Sequence, residues 1–165
     1  MKNIYLIGFM GCGKTTLANY LAKSLQREWI DLDVWIEKET GTKIAHIFEE
    51  KGEVYFRKLE EELLFKIHQS KNKIVSTGGG IIGSETNRKL LKEGICIYLD
   101  WPFQELYRRI AGDASRPLVK SYDQLQELYN RRRSLYEESC TLHIKCENET
   151  PYSLNQYILE HLDIK

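Results

Sequence analysis

The sequence predicts one α/β domain of the three-layer α/β/α kind, built on a central parallel sheet of about five strands. Three observations carry that expectation. Strand and helix patterns alternate from one end of the chain to the other. A glycine-rich phosphate-binding motif falls between the first strand pattern and the first helix pattern. The length, 165 residues, suits a single core. Parallel neighbours need a long crossover, and a helix is the usual one.

The elements follow in order. Residues 3–7 form a short apolar run that stops at Gly8, as expected of a strand buried on both faces. Residues 15–26 carry Leu17, Leu21 and Leu25 at four-residue spacing, one stripe of a helix. Residues 29–31 read as a second strand ending in acids, and 34–39 as a helix stopped by Gly41. Phe56, Leu59, Leu63 and Ile67 share one face of a longer helix. Residues 73–76 are strand-like and run into Thr77 and the triplet Gly78, Gly79, Gly80. Ser84 caps a helix reaching Lys92. Residues 95–99 form a strand, and Pro102 suits the first turn of the helix after it. The 112–121 stretch has no periodicity and reads as a mobile loop. Ser121 and Gln124 make a capping box for a helix ending near Glu138. Residues 141–145 alternate as a last strand. Thr150 and Pro151 then open a final helix with Leu154, Tyr157, Ile158 and Leu162 on one face.

Composition excludes several classes. The chain carries 24 Lys+Arg against 24 Asp+Glu, whereas a dedicated nucleic-acid binder has a broad basic excess. Aromatics at 11% and only three prolines argue against disorder. No run approaches the roughly 20 apolar residues of a membrane span, and the N-terminus lacks a signal-peptide pattern. Cys12, Cys96, Cys140 and Cys146 are scattered without a Cys-x-x-Cys pair, which predicts reduced thiols in a cytoplasmic protein.

Gly8-Phe-Met-Gly11-Cys-Gly13-Lys14-Thr15 has the spacing G-x-x-x-x-G-K-[ST]. Glycines let the backbone turn tightly and aim N–H groups at phosphate oxygens. Lys14 supplies a charge able to follow the β- and γ-phosphates, and the Thr15 hydroxyl is a hard oxygen ligand suited to Mg²⁺. The motif implies nucleotide-phosphate binding; it does not name the acceptor or decide between hydrolysis and transfer. Asp31 and Asp33 end the second strand, on one side if the extended geometry continues, and ligands of open α/β sheets bind beyond those strand ends. Three consecutive glycines after the third strand suggest a ligand touching main chain closely, with a flexible turn as the plain alternative. Arg57 precedes Glu60 by three, a helical pairing able to hold its guanidinium. Arg109 and Arg116 flank the loop. Of the triplet Arg131, Arg132 and Arg133, helical geometry lets only one point squarely at a cleft. A kinase for another hydroxylated acid such as gluconate, or for a nucleotide, and a non-catalytic nucleotide-sensing module remain open at this point. A regulatory GTPase does not fit, because no Asn-Lys-x-Asp guanine motif is present.

Together these motifs resemble the shikimate kinase family over nearly the whole chain. Residues 7–15 resemble its phosphate loop, and Asp31-Leu-Asp33 its paired acids. Residues 47–49, 52–57 and Glu60 are similar to its acceptor-binding segment, 76–80 to its glycine turn, 116–118 to its lid, and 132–136 to its later arginine motif. The resemblance implies a single kinase domain over 1–165, with an acceptor-binding segment at about 33–61 and a lid at about 112–122. It implies ATP-dependent phosphorylation of the shikimate 3-hydroxyl, giving shikimate 3-phosphate and ADP on the route to chorismate and the aromatic amino acids.

By the same resemblance, Lys14, Asp33 and Arg116 are catalytic. Gly11, Cys12, Gly13, Lys14, Thr15, Thr16, Arg109 and Arg116 bind ATP, with Arg109 against adenine. Asp33, Arg57, Gly79, Gly80 and Arg132 bind shikimate, Arg57 and Arg132 gripping its carboxylate. Thr15 holds Mg²⁺, and Asp31 a metal-bound water. Ser134 stands where many relatives have proline, which leaves Arg133 as the alternative to Arg132. Shikimate and ATP are the expected partners of a cytoplasmic monomer, with no nucleic acid and no membrane.

Overall fold

Ile4–Ile7 forms strand β1, and each of its four side chains is buried. A strand of this kind needs cover on both faces, so helices must lie above and below it. The computed structural model describes residues 1–113 and 120–162. Its remaining strands are β2 (Glu28–Asp31), β3 (Lys73–Ser76), β4 (Ile95–Asp100) and β5 (Leu142–Lys145), all parallel, in the order β2-β3-β1-β4-β5. The expected five-stranded parallel sheet is therefore present, with β1 at its centre. The helices are α1 (Lys14–Leu25), α2 (Leu32–Thr40), α3 (Ile44–Gln69), α4 (Glu85–Glu93), α5 (Phe103–Ala111), α6 (Tyr122–Ser139) and α7 (Pro151–His161). Helix α1 packs on α7, while α4 packs on α3 and α6. None of the described helices is long and apolar enough to cross a membrane.

Local signals explain most boundaries. Ser84 caps α4 by accepting from the Asn87 N–H. Reciprocal capping boxes open α6 at Ser121 and Gln124 and α7 at Thr150 and Ser153, each cap worth about 1 kcal/mol. Gly41 closes α2 at φ 65°, a left-handed position that suits glycine. All four cysteines are free; burial holds the Cys96 thiol well above its ordinary value and pushes that of Cys146 up to about 12.

Four expectations are corrected or extended. The extended geometry does not continue from Asp31 to Asp33: α2 starts at Leu32, and Asp31 caps it by accepting from the Val34 N–H at 3.1 Å. The helix containing Phe56 begins at Ile44 and turns at Gly52 (φ 80°, ψ 172°), two helical segments joined through one glycine. On α7, Leu154 and Ile158 are buried but Tyr157 is exposed and stacks on His161, because its position lies off the buried stripe. Pro102 stands at the N-cap of α5, one residue before the helical turn.

Candidate active site

The loop from β1 to α1 turns through Gly8, Gly11 and Gly13, all at positive φ. Gly13 (φ 85°) is the N-cap of α1 and has open space where a Cβ would stand. Its glycine is required by conformation and not by crowding. Phe9 pins the loop from below, edge-on to Tyr129 of α6 with ring centres 5.5 Å apart. Lys14 is buried, and its Nζ donates to the carbonyls of Gly8 (2.6 Å) and Phe9 (3.2 Å) and to Cys12 Sγ (3.4 Å). A cavity of about 340 Å³ opens over the loop, lined by residues 10–16 together with Asp33, Thr77, Gly78, Gly79, Arg109 and Asp113. The helix dipole and the loop N–H groups favour an anion there.

The acids lie close to this cavity although they do not share a strand. Thr15 Oγ1 donates to Asp31 Oδ2 at 2.9 Å, which sets two hard oxygen groups side by side at the start of α1. That donor set fits Mg²⁺, a cation that prefers carboxylate, hydroxyl and water oxygens. Asp33, in the first turn of α2, lines the cavity itself.

The glycine triplet is explained by its neighbours. None of Gly78, Gly79 and Gly80 has positive φ; Gly80 sits at φ −94°. A Cβ on Gly78 would stand 3.1 Å from Asp33 Oδ1 and 3.2 Å from Glu60 Oε2. One on Gly79 would stand 3.4 Å from Arg132 Nη1, and one on Gly80 would fall within 2.6 Å of Arg57 Cζ. The expectation of close approach is therefore right about space, while the groups that occupy it are the protein's own charged side chains. Each glycine makes room for one or two of them.

Those side chains are themselves held. Arg57 Nη1 donates to Glu60 Oε1 at 2.8 Å, the helical pairing read from the sequence, and Glu53 lies 3.5 Å from its Nε. Glu60 is buried, and its Oε2 has no hydrogen-bond partner among the described residues. Burial raises its pKa above the ordinary carboxylate range, opposed chiefly by the Arg57 guanidinium. Of the arginine triplet, Arg132 points to Gly79 and lies over the Phe9 ring at 6.0 Å. Arg133 turns instead to Asp100 (3.5 Å) and Glu137 (3.4 Å). Arg109 donates to the Gly11 carbonyl at 3.3 Å from the other flank of the phosphate loop. Arg116, with most of the expected lid at about 112–122, lies outside the described residues.

A sequence model of shikimate kinases matches residues 10–163. The chain belongs to the shikimate kinase family. A shikimate kinase of Persephonella marina is 44% identical over 161 residues, covering 96% of this chain and 98% of that protein. One of Macrococcus caseolyticus is 46% identical over 147 residues, 87% of each chain. Among solved structures, a shikimate kinase from Acinetobacter baumannii in complex with shikimate superposes with a TM-score of 0.90 at 39% identity. That match covers 97% of this chain and 92% of the other. The three-layer P-loop fold of the family is thus the fold found here.

Within this member of the family, three residues lie in motifs the sequence displays but make contacts that sequence reading did not give. Glu60 was read as a helical partner for Arg57 and, by resemblance, as part of the acceptor-binding segment, but no local pattern brings its second oxygen against Gly78. Tyr136 donates its hydroxyl to the Gly79 carbonyl and stacks on Tyr98, with ring centres 5.1 Å apart. Phe9 occupies a variable position of the phosphate motif, and its packing on α6 has no local signature.

Proposed function

We propose that the protein transfers the γ-phosphoryl group of ATP to the 3-hydroxyl of shikimate, releasing shikimate 3-phosphate and ADP, as a step toward chorismate and the aromatic amino acids. The observation that carries this reading is the convergence of Arg57 and Arg132 on the Gly79–Gly80 backbone, directly beside the phosphate cavity and Asp33. Two guanidinium groups there suit a carboxylate, which they clasp through paired N–H donors where lysine would supply only a point charge. An acid beside them suits a hydroxyl of the same molecule.

Phosphoryl transfer asks the protein for in-line positioning and charge neutralisation more than for covalent chemistry. The loop N–H groups and the N-terminus of α1 cradle the β- and γ-phosphates. Lys14 exchanges its loop carbonyls for phosphate oxygens. Asp33 accepts the hydrogen bond of the attacking hydroxyl and orients its lone pair toward phosphorus. Arg57, fixed by Glu60, and Arg132, on α6, hold the carboxylate end so that the reacting hydroxyl faces the nucleotide. Thr15 and Asp31 would hold Mg²⁺, which when bound neutralises phosphate charge. By resemblance, Arg116 comes from the lid to the phosphates, where exclusion of water favours transfer over hydrolysis. The same reading takes the enzyme as a cytoplasmic monomer acting on small molecules.

A coupled ADP-release assay with Mg²⁺ and shikimate, run beside gluconate and nucleoside monophosphates, tests the proposal. Turnover is expected with shikimate alone. Folded protein that releases no ADP across a range of shikimate concentrations, or prefers another acceptor, would overturn it.

A further inference from the structure

A second cavity of about 430 Å³, lined by Trp101, Glu105 and Arg109 among others, adjoins the phosphate cavity. Among the described residues, Arg109 alone lines both. Its guanidinium is fixed at two edges, by Glu105 Oε1 at 3.1 Å from Nε and by the Gly11 carbonyl at 3.3 Å from Nη1. Beneath it lies the indole of Trp101, with Cζ 4.1 Å from the ring centre. Trp101 is buried, and its side chain follows directly on the end of β4, so the platform is anchored in the sheet. The Arg109 side chain remains one-third exposed.

The choice of tryptophan at this position has a further indication. The indole N–H is buried and has no hydrogen-bond partner among the described residues. An unpaired buried donor is unfavourable, and a phenyl ring would fill the same floor without one. What indole adds is the strongest π-face of the aromatic side chains for a guanidinium. The ring's placement thus matches the needs of Arg109 and not those of its own N–H.

We infer that Trp101 is a positioning residue for the nucleotide: it holds the Arg109 guanidinium flat so that a purine base stacks on the opposite face, in a three-layer indole–guanidinium–purine arrangement. This rests on the reading of ATP as the nucleotide and of Arg109 as its base contact. Planar guanidinium groups stack on aromatic rings on either side, and one whose edges and lower face are already committed loses little freedom when the base arrives.

Calorimetric binding of ADP and of tripolyphosphate, which has the phosphates without the base, separates the possibilities. In Trp101→Leu, ADP should bind about five- to tenfold more weakly while tripolyphosphate stays within about twofold of the unsubstituted protein. Trp101→Phe, which keeps a buried ring with a weaker π-face, should fall between, and it carries the test if the leucine variant does not fold. In an Arg109→Ala background, Trp101→Leu should add little further loss. Equal weakening of ADP and tripolyphosphate, or unchanged ADP affinity in both variants, would overturn the inference and leave the ATP reading standing. Failure of the unsubstituted protein to bind ADP would remove that reading and the inference with it.

Discussion

The phosphate loop and the glycine turn after β3 are both glycine-rich, and they lie against the same cavity, yet their glycines answer different demands. Gly13 has φ 85° with nothing near its missing Cβ, whereas Gly80 has φ −94° with the Arg57 guanidinium where a Cβ would go. One side of the site is made of backbone, shaped so that N–H groups face a phosphate. The other is made of side chains, with backbone pared back to admit them. A nucleotide's phosphates can be bound by main chain because they present the same oxygens in every nucleotide. An acceptor is distinguished by its own carboxylate and hydroxyls, which calls for specific charged groups.

The largest effect should come from the one charged side chain embedded in the backbone half. Lys14→Ala should lower kcat by about 10³-fold or more, since charge on the transferring group goes uncompensated. A loss below about tenfold in single-turnover assays would assign that task elsewhere. Gly80→Ala is the sharper probe of the contrast. Displacing Arg57 should raise the shikimate KM by about 10²-fold with ADP affinity within about twofold of normal, and Arg57→Ala should reproduce that signature. If Gly80→Ala weakened ADP binding as much as shikimate binding, the division into a backbone half and a side-chain half would fail.

Gly13→Ala is the mirror-image experiment. The left-handed conformation costs a side-chain-bearing residue about 1–2 kcal/mol, so ADP should bind about tenfold more weakly while the shikimate KM holds. The smallest effect concerns pH. Burial raises the Glu60 pKa, so as pH falls Glu60 takes up its proton before ordinary glutamates do, and Arg57 loses the nearer and buried of its two ionic partners. The shikimate KM should rise by about two- to threefold over that limb, and Glu60→Gln should abolish the dependence. The sign for stability is opposite. Because the native pKa lies above the unfolded one, the buried carboxylate subtracts from stability above its native pKa, and that penalty fades as pH falls through it.

The same contrast governs what was legible in the sequence. The strands, the capping boxes at Ser121 and Thr150, and the phosphate loop are local: periodicity, caps and spacing lie within a few residues of one another. The triplet at Gly78 was recognised as a place of close approach, but the approaching groups come from α2, α3 and α6, and no local pattern names them. Strand-end logic set Asp31 and Asp33 together near the phosphate loop; Asp33 lines the cavity and Asp31 accepts from Thr15, with a helix starting between them. Helical geometry sets Arg132 and Arg133 about 100° apart without saying which one meets the cleft; Asp100, at the end of β4, takes Arg133 and leaves Arg132 toward Gly79. The Trp101–Arg109 stack spans a helix start that pattern reading marked only by Pro102.

The strand that leads into the phosphate loop precedes in the chain both of the strands it pairs with. During synthesis, β1 leaves the ribosome with both edges bare, and its neighbours β3 and β4 emerge only after the first two crossovers have been translated. Until Asp100 has cleared the exit tunnel, four consecutive sheet-forming side chains (Ile4, Tyr5, Leu6 and Ile7) lack at least one of the two strands between which they lie. Nucleotide capture is accordingly a property the polypeptide acquires late, although its signature lies in the single stretch from the end of β1 to the start of α1.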